Sequence, residues 1–458
     1  MTNLATRTSA RAERDYSPVC WTEYFDEAHD IDLDDPNDKS PKGNSFRIYL
    51  KNFQQPYAPK RDYGQEFDST KFEITQSEIT KYSNVPTLVA LHGGGYSALT
   101  WAQFARHICQ ICHCRILAID LRGHGDSKTV DDEQMDIDTL VSDVISVTQA
   151  THRICGFPET PRVVLIGHSM GGAIAIKCSI NCTESLPSLA GIVIIDVVEG
   201  TAKDALPLMM SVIQIRPKKF PTLSSAIEWC VRSGMAKNVN AARVSMPGNL
   251  VNIANGQLSI HDVPMDKNLS RIFKPLKQHK FHVMLDLSDD NQPTVGQLPR
   301  LPLPQRLKAL KSDSSHNFRP PLQLYKSPDD SSIIEETGDE SPGDARLRTQ
   351  NQGYKRPFEV EKSGYSWRTD LGKTQPYWNG WFDGLSTQLL DAVVQGKFLL
   401  LAGIDRLDKT LTIGHMQGKF MMKVLPKCGH AVHEDLPDQV AKAIGDFLIR
   451  NKFATAID

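Results

Sequence analysis

A serine between glycines, two histidines in one loop, two strand-end aspartates and a run of three glycines are the residues of this chain best placed to do chemistry. Ser169 lies in Gly167-His168-Ser169-Met170-Gly171, directly after the apolar run Val163-Val164-Leu165-Ile166 and directly before the helix-forming run Ala173-Ile174-Ala175-Ile176. A serine hydroxyl is a weak nucleophile at neutral pH, so it must be held out on a tight turn where a base can take its proton. A strand, a glycine turn and a helix in that order build such a turn. The flanking glycines remove the Cβ atoms that would clash within it. The chemistry this points to is acyl transfer through a covalent serine ester.

That chemistry needs donors for a developing oxyanion. Pro86-Thr87-Leu88-Val89-Ala90-Leu91 reads as a strand running into His92-Gly93-Gly94-Gly95, a turn that presents backbone N–H groups. Gly94 is the candidate first donor and Met170, the residue after the serine, the second. Losing one such donor typically costs about 3 to 4 kcal/mol of transition-state stabilisation.

It also needs a base and an acid. Phe420 to Pro426 reads as a late strand, and the following loop carries His430 and His433. His430 follows Gly429 at the loop tip, where it can reach across to the serine, whereas His433 lies closer to a closing helix that starts around Asp438. His430 is therefore the expected base. The pattern His430-x-x-His433-x-Asp435 does not fit a hydrolytic zinc site, which sets its two histidines four apart on a helix. For the acid, Asp405 follows the strand Leu399-Leu400-Leu401, and Asp196 follows Gly191-Ile192-Val193-Ile194-Ile195. Both strand ends fall on one edge of a parallel sheet, so either carboxylate could orient the imidazole. Spacing leaves the choice open.

The elements that must position these groups alternate. Apolar runs at 86–91, 115–121, 162–168, 191–196, 397–403 and 420–426 are separated by helical segments, such as Met135 to Ile154 with Leu140, Val141, Val144 and Ile145. That alternation predicts an α/β fold with a mostly parallel, doubly wound sheet. Ser45 to Leu50 and Lys71 to Thr75 alternate polar and apolar residues and read as an antiparallel edge pair. Residues 1–44 are polar and read as a flexible arm. The first part of the core spans 45–247. From Thr201 it turns helical without a strand, as expected of a lid, and its Leu206, Met209, Met210, Ile213, Trp229 and Met235 should pack on the core, a few of them lining an apolar slot. Residues 248–362 are polar and proline-rich, as in Gln297 to Gln305 and Glu335 to Gly343. Such composition cannot bury enough apolar area to offset its ordering entropy, so a disordered insertion is expected, with short apolar islands at Arg271 to Leu276, Phe281 to Leu285 and Ile333 to Glu336. Residues 363–458 complete the core.

Composition bounds the function. A net charge of −2 over 458 residues argues against phosphate neutralisation, hence against a nucleic-acid binder. The nine cysteines are scattered and odd in number, and the first residues lack the apolar core of a secretory signal. They read as thiols in a reducing compartment. Cys109, Cys112 and Cys114 cluster around His113 without a second pair at zinc spacing, so no metal is expected there. No apolar stretch approaches the roughly 18 residues needed to cross a bilayer.

The motifs together resemble one family, the eukaryotic protein phosphatase methylesterases. The resemblance rests on Leu91-His-Gly-Gly-Gly95, Ile119-Asp-Leu-Arg-Gly-His-Gly-Asp126, Gly167-His-Ser-Met-Gly-Gly-Ala-Ile-Ala175, Ile195-Asp-Val-Val-Glu-Gly-Thr-Ala202, Ala226-Ile-Glu-Trp229, Ala242-Arg-Val-Ser-Met246, Trp378-x-Gly-Trp-Phe382, Asp405-Arg-Leu-Asp408 and Gly429-His-Ala-Val-His-Glu-Asp435. It covers most of 86–247 and 366–452. It implies an α/β-hydrolase fold with a helical lid, and removal of the methyl ester from the C-terminal leucine of the catalytic subunit of protein phosphatase 2A. In that family the triad acid follows the strand after the serine's helix, which maps onto Asp196 rather than Asp405, and the histidine maps onto His430. No cofactor, metal, nucleic-acid partner or membrane is implied, and the expected location is cytoplasmic, nuclear or both. Two other readings compete: a general carboxylesterase acting on small esters, and a phosphatase-binding regulator whose catalysis is secondary.

Overall fold

The computed structural model describes residues 14–33, 43–52, 85–155, 161–181, 185–265 and 363–457. Eleven strands run in chain order as Glu27–Leu33 (β1), Asn44–Lys51 (β2), Thr87–Leu91 (β3), Arg115–Ile119 (β4), Val163–His168 (β5), Leu189–Ile195 (β6), Lys219–Phe220 (β7), Leu250–Asn252 (β8), Tyr365–Trp367 (β9), Gly396–Leu401 (β10) and Met421–Val424 (β11). Eight of them form one sheet in the order β1-β2-β4-β3-β5-β6-β10-β11. β1, β2 and β4 pair antiparallel, and every pairing from β4 onward is parallel. The continuous apolar runs are explained by burial on both faces, as parallel strands require: all of β3, β4 and β5 is buried. One face packs the helices Ile137–Ile154 and Met170–Asn181, and the other packs Ala102–Ile108 and Pro437–Arg450.

The register matters most for the site. Leu91 pairs with Gly167, His168 with Ile195, and Ile195 with Leu400. The C-terminal ends of β3, β5, β6 and β10 are thereby level, and the loops leaving them meet at one edge. The chain order also reverses direction around β3, which makes this edge the switch point where such sheets bind ligands.

Two expectations about boundaries change. The arm is folded from residue 14 to 33, because Tyr24 and Phe25 are buried beside Tyr49, and β1 pairs with β2 along its whole length. Asp30 and Asp32 hid this strand from a propensity reading, since Asp is poor in strands. The structure compensates with ion pairs across the sheet edge, Arg47 to Asp30 and Lys51 to Asp26, both at 2.7 Å. The anticipated partner of β2, Lys71 to Thr75, lies outside the described residues.

The insertion also begins later than residue 248. β8 and the turn Ser259–Asp262 are ordered, with Leu258 and Ile260 buried. β8 pairs with β9 and β9 with β7, giving the lid a three-stranded sheet, so the lid is not purely helical. Phe220 and Trp229 each meet Trp367 edge-on around it. Ile253 N–H donates to Gly364 O at 2.9 Å, so the two ends of the excursion meet. Residues 266–362, with the proline-rich runs and apolar islands, lie outside the described residues.

The lid helix Glu199–Gln214 buries none of its residues fully, and Leu206, Met209, Met210 and Ile213 pack on the main core. No described helix is long and apolar enough to cross a membrane.

Candidate active site

Ser169 leaves β5 with φ of +53°, a left-handed conformation that costs a non-glycine residue about 1 to 3 kcal/mol and persists only when its surroundings hold it. The surroundings do. Ser169 N–H donates to Ile195 O at 3.0 Å, and its carbonyl accepts from Gly172 N–H at 2.9 Å and Ala173 N–H at 3.1 Å to start the next helix. A Cβ on Gly167 would sit 2.1 Å from Gly171 O, and one on Gly171 would sit 2.3 Å from Leu91 O. Neither position tolerates a side chain, because the turn brings backbone against backbone.

Asp196 repeats the device at the end of β6, with φ of +55° and its N–H on Leu400 O at 2.8 Å. The strained turn swings the carboxylate back across the sheet edge. There Oδ2 accepts from His430 Nδ1–H at 2.8 Å, and Oδ1 accepts from Ala402 N–H at 3.0 Å. The Asp196 side chain is wholly buried, whereas the His430 ring is 46% exposed. The bond to Asp196 fixes the His430 tautomer, leaving Nε2 as the proton acceptor. Asp405 lies in the exposed turn Ile404–Arg406 and makes no hydrogen bond to His430.

His430 is held from behind. Its carbonyl accepts from His168 Nε2–H at 2.9 Å, and Asp435 clamps the loop by accepting from Gly429 N–H at 2.5 Å and Lys237 N–H at 2.6 Å. His433 is buried beneath, its Nε2 at 2.9 Å from Thr100 Oγ1. Burial, and secondarily the neighbouring His430, lowers the His433 pKa to about 3. Burial together with the neighbouring histidines holds His168 well below the ordinary imidazole range. Both are therefore neutral spacers at working pH.

The glycine turn after β3 is held by two histidines that sequence reasoning did not single out. His92 Nδ1–H donates to Gly93 O at 2.8 Å, and its Nε2 accepts from Leu121 N–H at 3.0 Å. His124 Nδ1–H donates to Arg122 O at 2.8 Å, and its Nε2 accepts from Gly95 N–H at 2.9 Å. Both rings are wholly buried. Burial lowers His92 well below the usual value and His124 to about 4. Protonation of either Nε2 would eject a backbone N–H, so the clamp exists only with neutral rings. The motifs Leu91-His-Gly-Gly-Gly95 and Arg122-Gly-His-Gly125 contained the signal, but only the pairing of β3 with β4 brings them together.

His124 uses up the Gly95 donor. Among the described residues the N–H groups of Gly94 and Met170 have no acceptor, and Gly94 is the one residue of 91–100 that is not buried. Its Cα faces Leu371, Met170 and Trp381, with a Cβ there falling 3.7, 3.9 and 4.0 Å from their side chains. Trp381 is anchored through Nε1–H to Met135 O at 2.7 Å, and Met210 of the lid helix approaches Gly372 beside them. The result is a nucleophile candidate, a base oriented by a carboxylate, two unused donors and an apolar wall at one sheet edge. That arrangement suits hydrolysis of an ester whose acyl side is apolar.

Comparison with known proteins agrees with this chemistry. The Alpha/beta hydrolase family matches residues 88–443. Protein phosphatase methylesterase 1 of Bos taurus is 36% identical over 448 residues, covering 97% of this chain and 89% of that protein. The Homo sapiens protein of the same name is 36% identical over 446 residues, covering 97% and 88%. A probable protein phosphatase methylesterase 1 of Caenorhabditis elegans is 31% identical over 450 residues, covering 98% and 82%. With the fold, the sheet-edge geometry and full-length similarity in agreement, the chain belongs to the α/β-hydrolase family and, within it, to the protein phosphatase methylesterases.

Proposed function

We propose that this carboxylic ester hydrolase removes the methyl ester from the C-terminal leucine of the catalytic subunit of protein phosphatase 2A, with Ser169, His430 and Asp196 as its triad. The observation that carries the reading is the 2.8 Å bond between His430 and buried Asp196 at the same sheet edge as the strained turn of Ser169. Ser169 Oγ attacks the ester carbonyl carbon as its proton passes to His430 Nε2. The N–H groups of Gly94 and Met170 receive the negative oxygen. Collapse expels the methoxy group, which takes the proton from His430 and leaves as methanol. Water, deprotonated by His430, then attacks the acyl-enzyme and restores the serine. Leu371, Trp381 and Met170 offer an apolar wall suited to a leucine side chain.

Among the described residues no hydrogen bond joins Ser169 Oγ to His430 Nε2, whose ring is bonded through Nδ1 to Asp196. Docking of the folded phosphatase supplies binding energy that can close this gap, which would make the intact protein a better substrate than its terminal peptide in kcat as well as in KM.

The test is incubation with methylated phosphatase catalytic subunit, followed by intact mass. Loss of one methyl group with the wild type and none with Ser169→Ala is expected. Rapid turnover of short acyl esters without demethylation of the phosphatase would make the protein a general carboxylesterase instead.

A further inference from the structure

Asp196 Oδ2 is shared. Besides His430 Nδ1–H it accepts from Arg406 Nη1–H at 2.5 Å, so a full positive charge sits on the oxygen that is meant to steady the imidazole. The carboxylate is wholly buried, while the guanidinium is 35% exposed. We propose that Arg406 is a positioning residue of the triad, which pins the Asp196 carboxylate against His430 and shares the oxygen that steadies the imidazole. This rests on the triad reading above.

Arg406 and His430 compete for one oxygen. When His430 takes the serine's proton it becomes an imidazolium, which an unshared carboxylate would stabilise in full. A guanidinium on the same oxygen cancels part of that attraction and repels the imidazolium. Two unit charges held on one carboxylate oxygen interact appreciably even at an effective dielectric of about 20. Exposure of the guanidinium and salt reduce the effect.

Other groups around His430 do not supply this charge. His168, from the end of β5, and His433, from the helix Val432–Asp435, are neutral as described. Cys428, two residues before His430, has its thiol pushed up to about 11 by burial and by the nearby carboxylates of Asp435 and Asp196. Asp435 is engaged by the N–H groups of Gly429 and Lys237, and the Lys237 side chain lies near Cys428 and Asp435. Among the described residues Arg406 is the only permanent cation hydrogen-bonded to Asp196.

Arg406 also has a structural tie to the lid. Its carbonyl lies 3.4 Å from Thr201 Oγ1, in the first turn of the lid helix Glu199–Gln214, and shares that hydroxyl with Val198 O at the same distance. A partner that displaces the lid would pull on the turn that carries the guanidinium, and so reach the base without touching it.

The experiment is the pH dependence of kcat/KM for p-nitrophenyl acetate with wild type, Arg406→Met and Arg406→Lys. The Met variant should move the acid limb to higher pH, and the Lys variant should stay near the wild type because it keeps the charge. An unmoved limb in Arg406→Met, whatever its plateau rate, would overturn the proposal and leave Arg406 as a strut for its turn. Should the Met variant fail to fold, Arg406→Gln keeps a donor to Oδ2 without the charge and reads the same limb. Failure of the triad reading is separately visible: full turnover by Asp196→Asn would remove the triad itself, wherever the limb of the Arg406 variants lies.

Discussion

Replacing Asp196 with asparagine tests the triad assignment most directly, because the structure leaves the amide no acceptable orientation. The carboxylate receives three donors: Ala402 N–H on Oδ1, and both His430 Nδ1–H and Arg406 Nη1–H on Oδ2. An asparagine oxygen at the Oδ2 position points its NH2 at the Ala402 N–H. The opposite flip points NH2 at both His430 and Arg406. In the first orientation the side chain is destabilised by a buried donor-donor contact, on the order of 1 to 3 kcal/mol. In the second His430 must turn to its other tautomer, presenting a proton rather than a lone pair to the serine. Loss of the correct tautomer typically costs about 10⁴-fold in kcat, equivalent to about 5.5 kcal/mol of barrier. Global stability should fall less, since the ion pair with partly exposed Arg406 is weakened by solvent screening. Steady-state kinetics on a small ester, with thermal unfolding to check the fold, measures both. Asp405→Asn, on an exposed turn, should change kcat by less than roughly threefold. If Asp405→Asn proved the more damaging of the two, with both variants folded, the assignment of Asp196 would be wrong.

Further outcomes follow from the same geometry. His124→Leu removes the acceptor for Gly95 N–H and should lower kcat about 10- to 100-fold with little change in KM, a fraction of a whole oxyanion donor; His124→Gln, whose Oε1 can take that N–H, should recover part of it, and a Leu variant with normal kcat would refute the clamp. Replacing 266–362 with a short Gly/Ser linker should leave small-ester kcat/KM within about threefold, because β8 and β9 already bring the two ends together; an unfolded product would show that those residues stabilise the core. Thermal stability should peak near pH 6.5. Below it, five buried histidines with lowered folded-state values, His92, His124, His152, His168 and His433, take up protons in the unfolded chain first, so stability falls from about pH 6.5 down towards pH 4. Above it, Asp120, raised by burial to about 7, and Glu434, raised by burial to about 8, must give up protons that the unfolded chain has already lost, so stability falls again up to about pH 8. Calorimetry from pH 4.5 to 8.5 at constant ionic strength reads both limbs, and a melting temperature still climbing below pH 6 would contradict the histidine side.

Much of this molecule is written locally. The run from Val163 to Ile176 contains its own strand, turn and helix, and the two glycines that the turn needs are within four residues of each other. The parallel strands announce themselves as unbroken apolar runs because each is buried on both faces. His430 and His433 already differ in the sequence, because His433 sits one turn further into helix-forming sequence. What the sequence by itself could not settle depends on which distant segments meet. Asp196 and Asp405 are both aspartates at ends of adjacent strands, and only the backbone conformation at +55° turns the first toward His430 while the second stays in solvent. β1 was hidden because its polar alternation looks like an arm until the ion pairs with β2 are in place. The clamp of His92 and His124, and the hold of Arg406 on a carboxylate 210 residues away, have no local signature at all, since a buried hydrogen bond between remote residues is specified by packing of the whole sheet edge and not by any pattern along the chain.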